Sequence, residues 1–351
     1  MNDRNKIGSE SLKISRAFVP ILIGFLVIAY LFWKRFDWNE FKEIEWNTRT
    51  LIGLILAVFA GILRHLSYSW RLHHLSLKKF SWKKSIELIF IWEFSSAVSP
   101  TSLGGSAVAF FILSKEKLSV ANTATIVLYT IVLDSFFLLG TLPLLYLIFG
   151  SSIIRPDEIG NWGFYFTFAY LLMTFYSATF FYGIFVNPKQ LKRLLSWLSE
   201  FKVLQNWKNQ IKQLGDDIIM ASQELSKKPL SFHFQSGLST IIAWMSRFVL
   251  LICIMVAFLP DLSLRPIVLF ELYARLQSMF FVIAFSPTPG GAGLIELLFN
   301  GFLTDYIQSN TSTTIISTIW RMLSYYLYLV VGAFIIPNWL QKVWKKSPLQ
   351  P

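Results

Sequence analysis

The chain has 351 residues, of which 54% are hydrophobic and 15% are charged, and its mean hydropathy is +0.52. These values exceed what a soluble core requires, so they exclude an ordinary soluble enzyme and predict an all-α polytopic membrane protein. A net charge of +12 would suggest nucleic acid as the partner of a soluble chain, but the basic residues here collect beside apolar segments, where lipid headgroups and topology explain them.

Eight apolar segments follow one another along the chain, in the ranges 17–33, 50–63, 86–113, 120–149, 163–186, 238–259, 267–303 and 314–336. The first follows four basic residues and ends in "YLFWKRF" instead of a small-residue cleavage site, so we expect a retained anchor helix. The third and the seventh are broken by related sequences, "SPTSLGG" at 99–105 and "SPTPGG" at 286–291. Proline and glycine expose polar backbone, which hydrocarbon cannot satisfy, so each break requires a protein-lined or watery setting.

The distribution of Lys and Arg tests whether the two broken segments cross the membrane or turn back inside it. If both turn back, 23 of these residues lie on the cytoplasmic side and 6 lie outside, whereas crossing by both segments gives 15 and 14. Cytoplasmic loops carry an excess of Lys and Arg. The sequence therefore predicts six spanning helices, two re-entrant broken-helix hairpins and both termini in the cytoplasm.

The two hairpins are predicted to enter from opposite sides, which makes the chain a single integral membrane domain over 1–351 with internal symmetry. The half-repeat 50–149 is expected to mirror the half-repeat 238–336 as an inverted repeat, a transporter architecture. The alternative is a chance likeness among apolar helices. Segment 163–186 then connects the halves, and cytoplasmic segment 187–230 is either an amphipathic helix on the inner leaflet or a solvated connector.

Each break is followed by a second apolar arm, so two helix N-termini are predicted to point into the membrane interior. Their unpaired N–H groups and partial positive charge favour an anion, and a lipid phosphate is the obvious anion in this setting. The alternative is that Pro and Gly only shape turns or helix contacts. The substrate-binding residues expected around the breaks are Pro100, Gly104, Gly105, Pro287, Pro289, Gly290, Gly291 and Glu296.

Ionisable residues inside apolar segments are a second signal, because each costs roughly 2.5–3.5 kcal/mol at a helix centre. Arg247 and Arg321 are the expected counter-ions of the phosphate, because cations near two helix N-termini form a phosphate-sized anion site. Tyr325, one turn after Arg321, is assigned to the same site.

Three further ionisable residues are candidates for a charge relay: Asp134, Glu271 and Arg275. Glu271 and Arg275 are four residues apart, so a local helical ion pair is an equally good interpretation. Asp134 is either one partner of a buried ion pair or part of a site.

The sequence contains no recognisable catalytic, nucleotide-binding or metal-binding motif, so we expect no cofactor, no metal and no catalytic residue. Its four histidines, at 65, 73, 74 and 233, fall at segment ends and are expected at the membrane interface. The single cysteine, Cys253, excludes an intramolecular disulfide.

Four stretches, "ILRHLSYSWRL", "SPTSLGG", "FSPTPGGAGLIE" and "WRMLSYYLYLVVG", resemble the lysylphosphatidylglycerol synthase transmembrane-region family over about 50–336. Its members are similar to the flippase portion of bacterial aminoacyl-phospholipid synthases, whose aminoacyl-transferase domain we expect to be absent here. Many relatives have a Glu-Arg pair before the aspartate that corresponds to Asp134, whereas this chain has Thr130 and Ile131 there.

The resemblance implies a flippase-like transporter that moves an anionic or modified (aminoacylated or glycosylated) lipid across a bacterial cytoplasmic membrane. Its partners would be a membrane phospholipid and either further copies of the chain or an enzyme of lipid synthesis. The alternatives are a membrane module of an aminoacyl- or glycosyl-transferase that modifies lipids, and a non-transporting membrane scaffold.

Overall fold

The computed structural model describes residues 41–42, 46–98, 102–153, 162–284 and 294–345, and every regular element in these ranges is a helix. Among these described residues, six helical stretches are long and apolar enough to cross a membrane: Thr48–Leu75, Val120–Ile153, Phe166–Val186, Leu230–Phe258, Pro266–Ile283 and Asn310–Val343. The predicted all-α polytopic membrane protein is confirmed.

Along the chain, the helices form a first group, a connecting region and a second group. The first group is α1 (Thr48–Leu75), α2 (Trp82–Val98), α3 (Ser102–Lys115) and α4 (Val120–Phe149). The connecting region contains α5 (Trp162–Phe181), α6 (Pro188–Leu198) and α7 (Lys208–Leu225). The second group is α8 (Leu230–Phe258), α9 (Pro266–Ala284), α10 (Leu294–Leu303), α11 (Asn310–Arg321) and α12 (Leu327–Lys345).

The predicted spanning segments match these helices with two differences. Segment 17–33 lies outside the described residues, and one candidate span without a predicted counterpart, Pro266–Ile283, lies in α9, the first arm of the seventh apolar segment. The predicted end of the second segment at residue 63 is wrong, because α1 continues to Leu75. The interruption is caused by Arg64 and Arg71, which are buried in the bundle and not in a cytoplasmic loop.

An antiparallel pair of long helices, α1 and α8, forms the centre of the bundle. Gly53 of α1 permits their close approach, because a Cβ there would lie 2.7 Å from the Cβ of Ala257. At the same end, the Arg49 guanidinium donates hydrogen bonds to the carbonyl oxygens of Val256, Leu259, Pro260 and Leu262, which caps the C-terminus of α8. At the other end, the ring of His74 contacts the Phe232 carbonyl at 3.1 Å.

An ion pair joins the two arms of each broken segment. Lys84 at the start of α2 lies 2.6 Å from Glu116, just after α3, and Arg275 of α9 lies 2.6 Å from Asp305, just after α10. The tips at 99–101 and 285–293 lie outside the described residues. Re-entrance and the inverted repeat therefore stay predictions.

The first arm of each broken segment packs against the last helix of the other group. Phe94 of α2 lies against Gly332 of α12, and Gln277 of α9 donates to the carbonyl of Leu138 and the hydroxyl of Thr141 in α4. The two groups are thereby interlocked around the α1–α8 pair.

The connecting region differs from the single amphipathic segment expected over 187–230. It is divided into α6, a short 3₁₀ helix at Lys202–Trp207 and α7. Helix α7 packs on α4 and buries Ile218, Ala221 and Leu225. In contrast, α6 exposes Leu194 and Trp197.

Candidate functional site

Two arginines of α1 project into the bundle seven residues apart and each binds a carboxylate of another helix. Arg64, which is 2% exposed, donates a hydrogen bond of 2.6 Å to Glu93 of α2. Its guanidinium lies between the rings of Tyr68 and Tyr328, at 5.4 and 5.1 Å from their centroids. The charge of Arg64 is therefore stabilised by one carboxylate and two aromatic faces.

The second arginine, Arg71, binds Asp134 of α4 through two hydrogen bonds of 2.5 and 3.2 Å. Two residues of α8 complete the network: the Trp244 indole donates to the same carboxylate at 2.9 Å, and the Thr240 hydroxyl accepts from Arg71 at 3.0 Å. Asp134 is thus the acceptor at a junction of α1, α4 and α8. This geometry matches the buried-ion-pair interpretation of Asp134.

A third guanidinium, that of Arg247 in α8, has no carboxylate within ion-pair distance in the part of the chain that the structure describes. It is half-buried and lies over the rings of Trp244 and Phe280, at 4.9 and 5.1 Å. Its Nε has no hydrogen-bond partner among the described residues. Because Trp244 also donates to Asp134, Arg247 lies next to the Arg71–Asp134 pair.

These side chains form one cluster, which we call the arginine cluster: Arg64, Arg71, Arg247, Glu93 and Asp134. Within it, three guanidinium groups face two carboxylates. Helices α1, α2, α4 and α8 contribute to it, and Phe280 of α9 lies against it. The cluster therefore carries an excess positive charge inside a bundle of membrane-spanning helices, next to arms of both broken segments.

Arg321 and Tyr325 lie at a π-helical turn, Met322–Tyr326, that joins α11 to α12. Arg321 is 2% exposed and lies 5.3 Å from the ring centroid of Tyr325. The Tyr325 hydroxyl donates to the carbonyl of Ala97 at 3.2 Å, two residues before the first break. The structure therefore places Tyr325 beside the last turn of α2, with Arg321 against its ring.

Most of the residues predicted at the breaks lie outside the described residues: Pro100, Pro287, Pro289, Gly290 and Gly291. Gly104 and Gly105 fall in the first turn of α3, and Glu296 falls in the first turn of α10, with its side chain outside the described part. Their assignment to a phosphate-binding site stays a prediction.

Glu271 and Arg275 form the ion pair that their spacing suggested, at 3.2 Å, and Asp305 binds the same guanidinium. Tyr306 lies beneath Arg275, and burial is the main cause that raises the pKa of its phenol. Among the described residues, no hydrogen bond or ion pair links this group to Asp134. Arg275 therefore connects α9, the first arm of the second broken segment, to Asp305, which follows the second arm.

Sequence reasoning did not assign Arg64, Arg71 or Glu93 to the site. The available signal was the spacing in "RHLSYSWR", which places Arg64, Tyr68 and Arg71 on one helical face. His65 was expected at the membrane interface, but it is buried, with its ring 4.0 Å from that of Phe90. Within the described ranges, no group of three or more His, Cys, Asp or Glu residues could hold a metal ion.

Comparison with known proteins places this architecture in a family. The family model for the lysylphosphatidylglycerol synthase transmembrane region matches residues 18–332. The chain belongs to this family. Within the family match lie all members of the arginine cluster together with Arg321 and Tyr325.

One curated relative and the solved structures complete the comparison. A UPF0104 membrane protein of Archaeoglobus fulgidus is 22% identical over 328 residues, which cover 90% of this chain and 94% of the relative. No solved structure was found to match. The similarity to the archaeal protein thus extends over the membrane domain of this member of the lysylphosphatidylglycerol synthase transmembrane-region family.

Proposed function

We propose that the chain is a flippase-like transporter that translocates an anionic or modified (aminoacylated or glycosylated) phospholipid across the bacterial cytoplasmic membrane. The observation that carries this proposal is Arg247, a half-buried guanidinium held by two aromatic rings beside the arginine cluster. An intramembrane cation is costly, so it requires a counter-charge or a function. A lipid phosphate supplies that counter-charge when it passes.

Two further features support translocation over simple lipid binding. Both broken segments contribute an arm next to the arginine cluster, through Glu93 of α2 and Phe280 of α9. In transporters built from inverted repeats, broken helices lie at a midplane site, and the two halves open it alternately to either side. In this proposal the two hairpins open the site to opposite leaflets, and both termini lie in the cytoplasm.

The test is leaflet exchange in proteoliposomes. Purified protein is reconstituted with trace phospholipids that carry a fluorescent headgroup, and the outer leaflet is quenched with a membrane-impermeant reductant. We expect protein-dependent exchange, and we expect Arg247→Ala to slow it at least tenfold. Arg193→Ala on the exposed surface of α6 is the matched control and should leave the rate unchanged.

Two results bear on the proposal directly. If no acidic, zwitterionic or aminoacylated phospholipid exchanges faster than in protein-free vesicles, translocation is excluded. If exchange occurs but Arg247→Ala matches the wild type, translocation stands and Arg247 is not its counter-ion. Thermal unfolding in detergent should show the same transition for both variants and the wild type.

The family description favours a second candidate, a membrane module of an enzyme that attaches an aminoacyl group to phosphatidylglycerol. In that case the arginine cluster binds the acceptor lipid and another chain supplies the transferase. The two functions differ in a lipid extract. A new headgroup that appears on expression and disappears in the Arg247→Ala variant supports the module and contradicts translocation without modification.

A further inference from the structure

A long groove of about 1470 Å³ opens on the side of the bundle between α1, α4, α8 and α9. Its wall on α8 contains residues spaced by three or four positions from Gly237 to Val256, which is one helical stripe. This stripe is about 28 Å long at 1.5 Å per residue, close to the hydrocarbon thickness of roughly 30 Å. The groove therefore follows α8 across almost the whole membrane.

The lining of the groove is nearly all apolar. Leu, Ile, Val, Met and Phe side chains dominate, and few lining residues carry polar side-chain groups: Arg49, Thr141, Thr240, Cys253 and Tyr273. Most hydrogen-bonding donors of Arg49 are used by the α8 cap, and Thr141 accepts from Gln277. Such a lining matches hydrocarbon chains and would bind a headgroup poorly.

Two glycines of the groove wall have no packing reason to be glycine. A Cβ at Gly140 or at Gly237 would meet no atom within 4 Å. In contrast, a Cβ at Gly53 or Gly332 would lie within 3.0 Å of a neighbouring helix. Glycine costs about 1 kcal/mol relative to alanine within a helix. The missing side chains at Gly140 and Gly237 keep the groove wide.

One end of the groove reaches the arginine cluster. Thr240 lines the groove, and its hydroxyl accepts a hydrogen bond from Arg71 at 3.0 Å. Leu133 and Phe137, on either side of Asp134 in α4, also line it. A molecule whose chains lie in the groove therefore has its polar end beside the Arg71–Asp134 pair.

We infer that this groove holds the acyl chains of the translocated phospholipid, with the phosphate at its Thr240 end next to Arg71. This inference rests on the proposed function. It adds the groove to the arginine cluster as a second part of the lipid site. The headgroup passes through the bundle by the arginine cluster. Meanwhile the acyl chains stay in the groove, in contact with the membrane, and need not enter the polar interior.

The experiment uses Cys253, the single cysteine of the chain, which lines the groove. A photoreactive benzophenone maleimide is attached to it, and the protein is reconstituted in vesicles of equal phosphatidylglycerol and phosphatidylcholine. After illumination, the cross-linked lipids are identified by mass spectrometry. A second labelled site, Val249→Cys in a Cys253→Ser background, reports from the same groove wall if the native thiol reacts poorly.

The control position is on the outer face of α5. Phe175 is 73% exposed and does not line the groove, so the control variant is Phe175→Cys in the Cys253→Ser background. It samples the bulk lipid. We expect phosphatidylglycerol adducts to be enriched at least twofold at residue 253 or 249 relative to residue 175.

Filling the groove tests the assignment separately from transport. Gly140→Trp should abolish the enrichment, whereas Leu147→Trp, at an exposed position of α4 outside the groove, should retain it. If the adducts at residues 253 and 249 have the composition of the control position and ignore Gly140→Trp, the groove assignment is wrong. If the enrichment depends on Gly140 but no lipid exchanges between leaflets, the groove binds lipid and the proposed translocation is wrong.

Discussion

Asp134 shows how the protein stabilises charge within the membrane. Its carboxylate accepts two hydrogen bonds from Arg71 and one from the Trp244 indole, so three helices depend on one acidic side chain. Arg64 and Glu93 form a second such pair about two turns away on the same face of α1. Removal of one partner leaves the other as an uncompensated buried charge, which costs more than loss of the pair as a whole.

This reasoning predicts the outcome of a double-mutant cycle at Arg71 and Asp134. Asp134→Asn or Arg71→Gln alone should lower the free energy of unfolding by about 3–5 kcal/mol. The double variant should lose clearly less than the sum of the two. Denaturant-induced unfolding in mixed micelles measures all four proteins.

The exposed pair of Lys192 and Asp216, between α6 and α7, is the matched control for this cycle. Lys192→Gln and Asp216→Asn should each change stability by about 0–1 kcal/mol, because solvent screens an exposed pair. Additive losses at Arg71 and Asp134 would contradict the assignment of these residues as a coupled pair.

At the scale of helices, the glycines separate close packing from open space. Gly53 allows α1 to approach Ala257 of α8, and Gly332 allows α12 to approach Phe94 of α2. Both contacts join the first group of helices to the second. Gly140 lies in the same type of helix but beside the groove, where an added methyl group meets nothing.

The contrast predicts opposite effects of the same substitution. Gly53→Ala should destabilise the protein by roughly 1–3 kcal/mol, because the new Cβ would lie 2.7 Å from that of Ala257 and two helix backbones must separate. Gly140→Ala should be neutral or stabilise by up to about 1 kcal/mol. Melting temperatures in one detergent decide the question, and equal effects at the two positions would contradict the packing account.

At the scale of the whole molecule, contacts assign loops to the two ends of the bundle. His74 at the end of α1 touches Phe232 at the start of α8, so the turn 76–81 and the turn 226–229 lie at one end. Arg49 and the end of α8 lie at the other. This arrangement is what the predicted topology with a re-entrant first segment requires, since two spans, α4 and α5, return the chain to the same side.

Accessibility labelling tests this topology in intact cells. Cysteines are introduced one at a time as Lys79→Cys, Ser226→Cys and Ser151→Cys in a Cys253→Ser background, all at exposed positions. A membrane-impermeant maleimide should label residue 151 from outside, and residues 79 and 226 only after permeabilisation. Labelling of residues 79 and 226 from opposite sides would show that the first broken segment crosses the membrane.

Composition and hydropathy determined the class of the molecule and most of its spans. A spanning helix needs an apolar stretch as long as the hydrocarbon core is thick, and this length is a local property of the sequence. The family could also be read locally, from the sequences around the two breaks. The end of α1 could not be predicted, because Arg64 and Arg71 resemble loop cations until their partners are known. Those partners, Glu93 and Asp134, are 29 and 63 residues away.

Only the tertiary structure decided which charges meet. Glu271 and Arg275 are four residues apart, so the sequence alone suggested that they pair. The structure adds Asp305, which follows the second break and binds the same guanidinium. Four helices contribute side chains to the arginine cluster, and four helices line the groove. The residue pattern within any one helix does not specify which residues of the other helices it will contact. Local sequence determines which segments enter the membrane, whereas packing between distant helices determines where positive charge and open space lie inside the bundle.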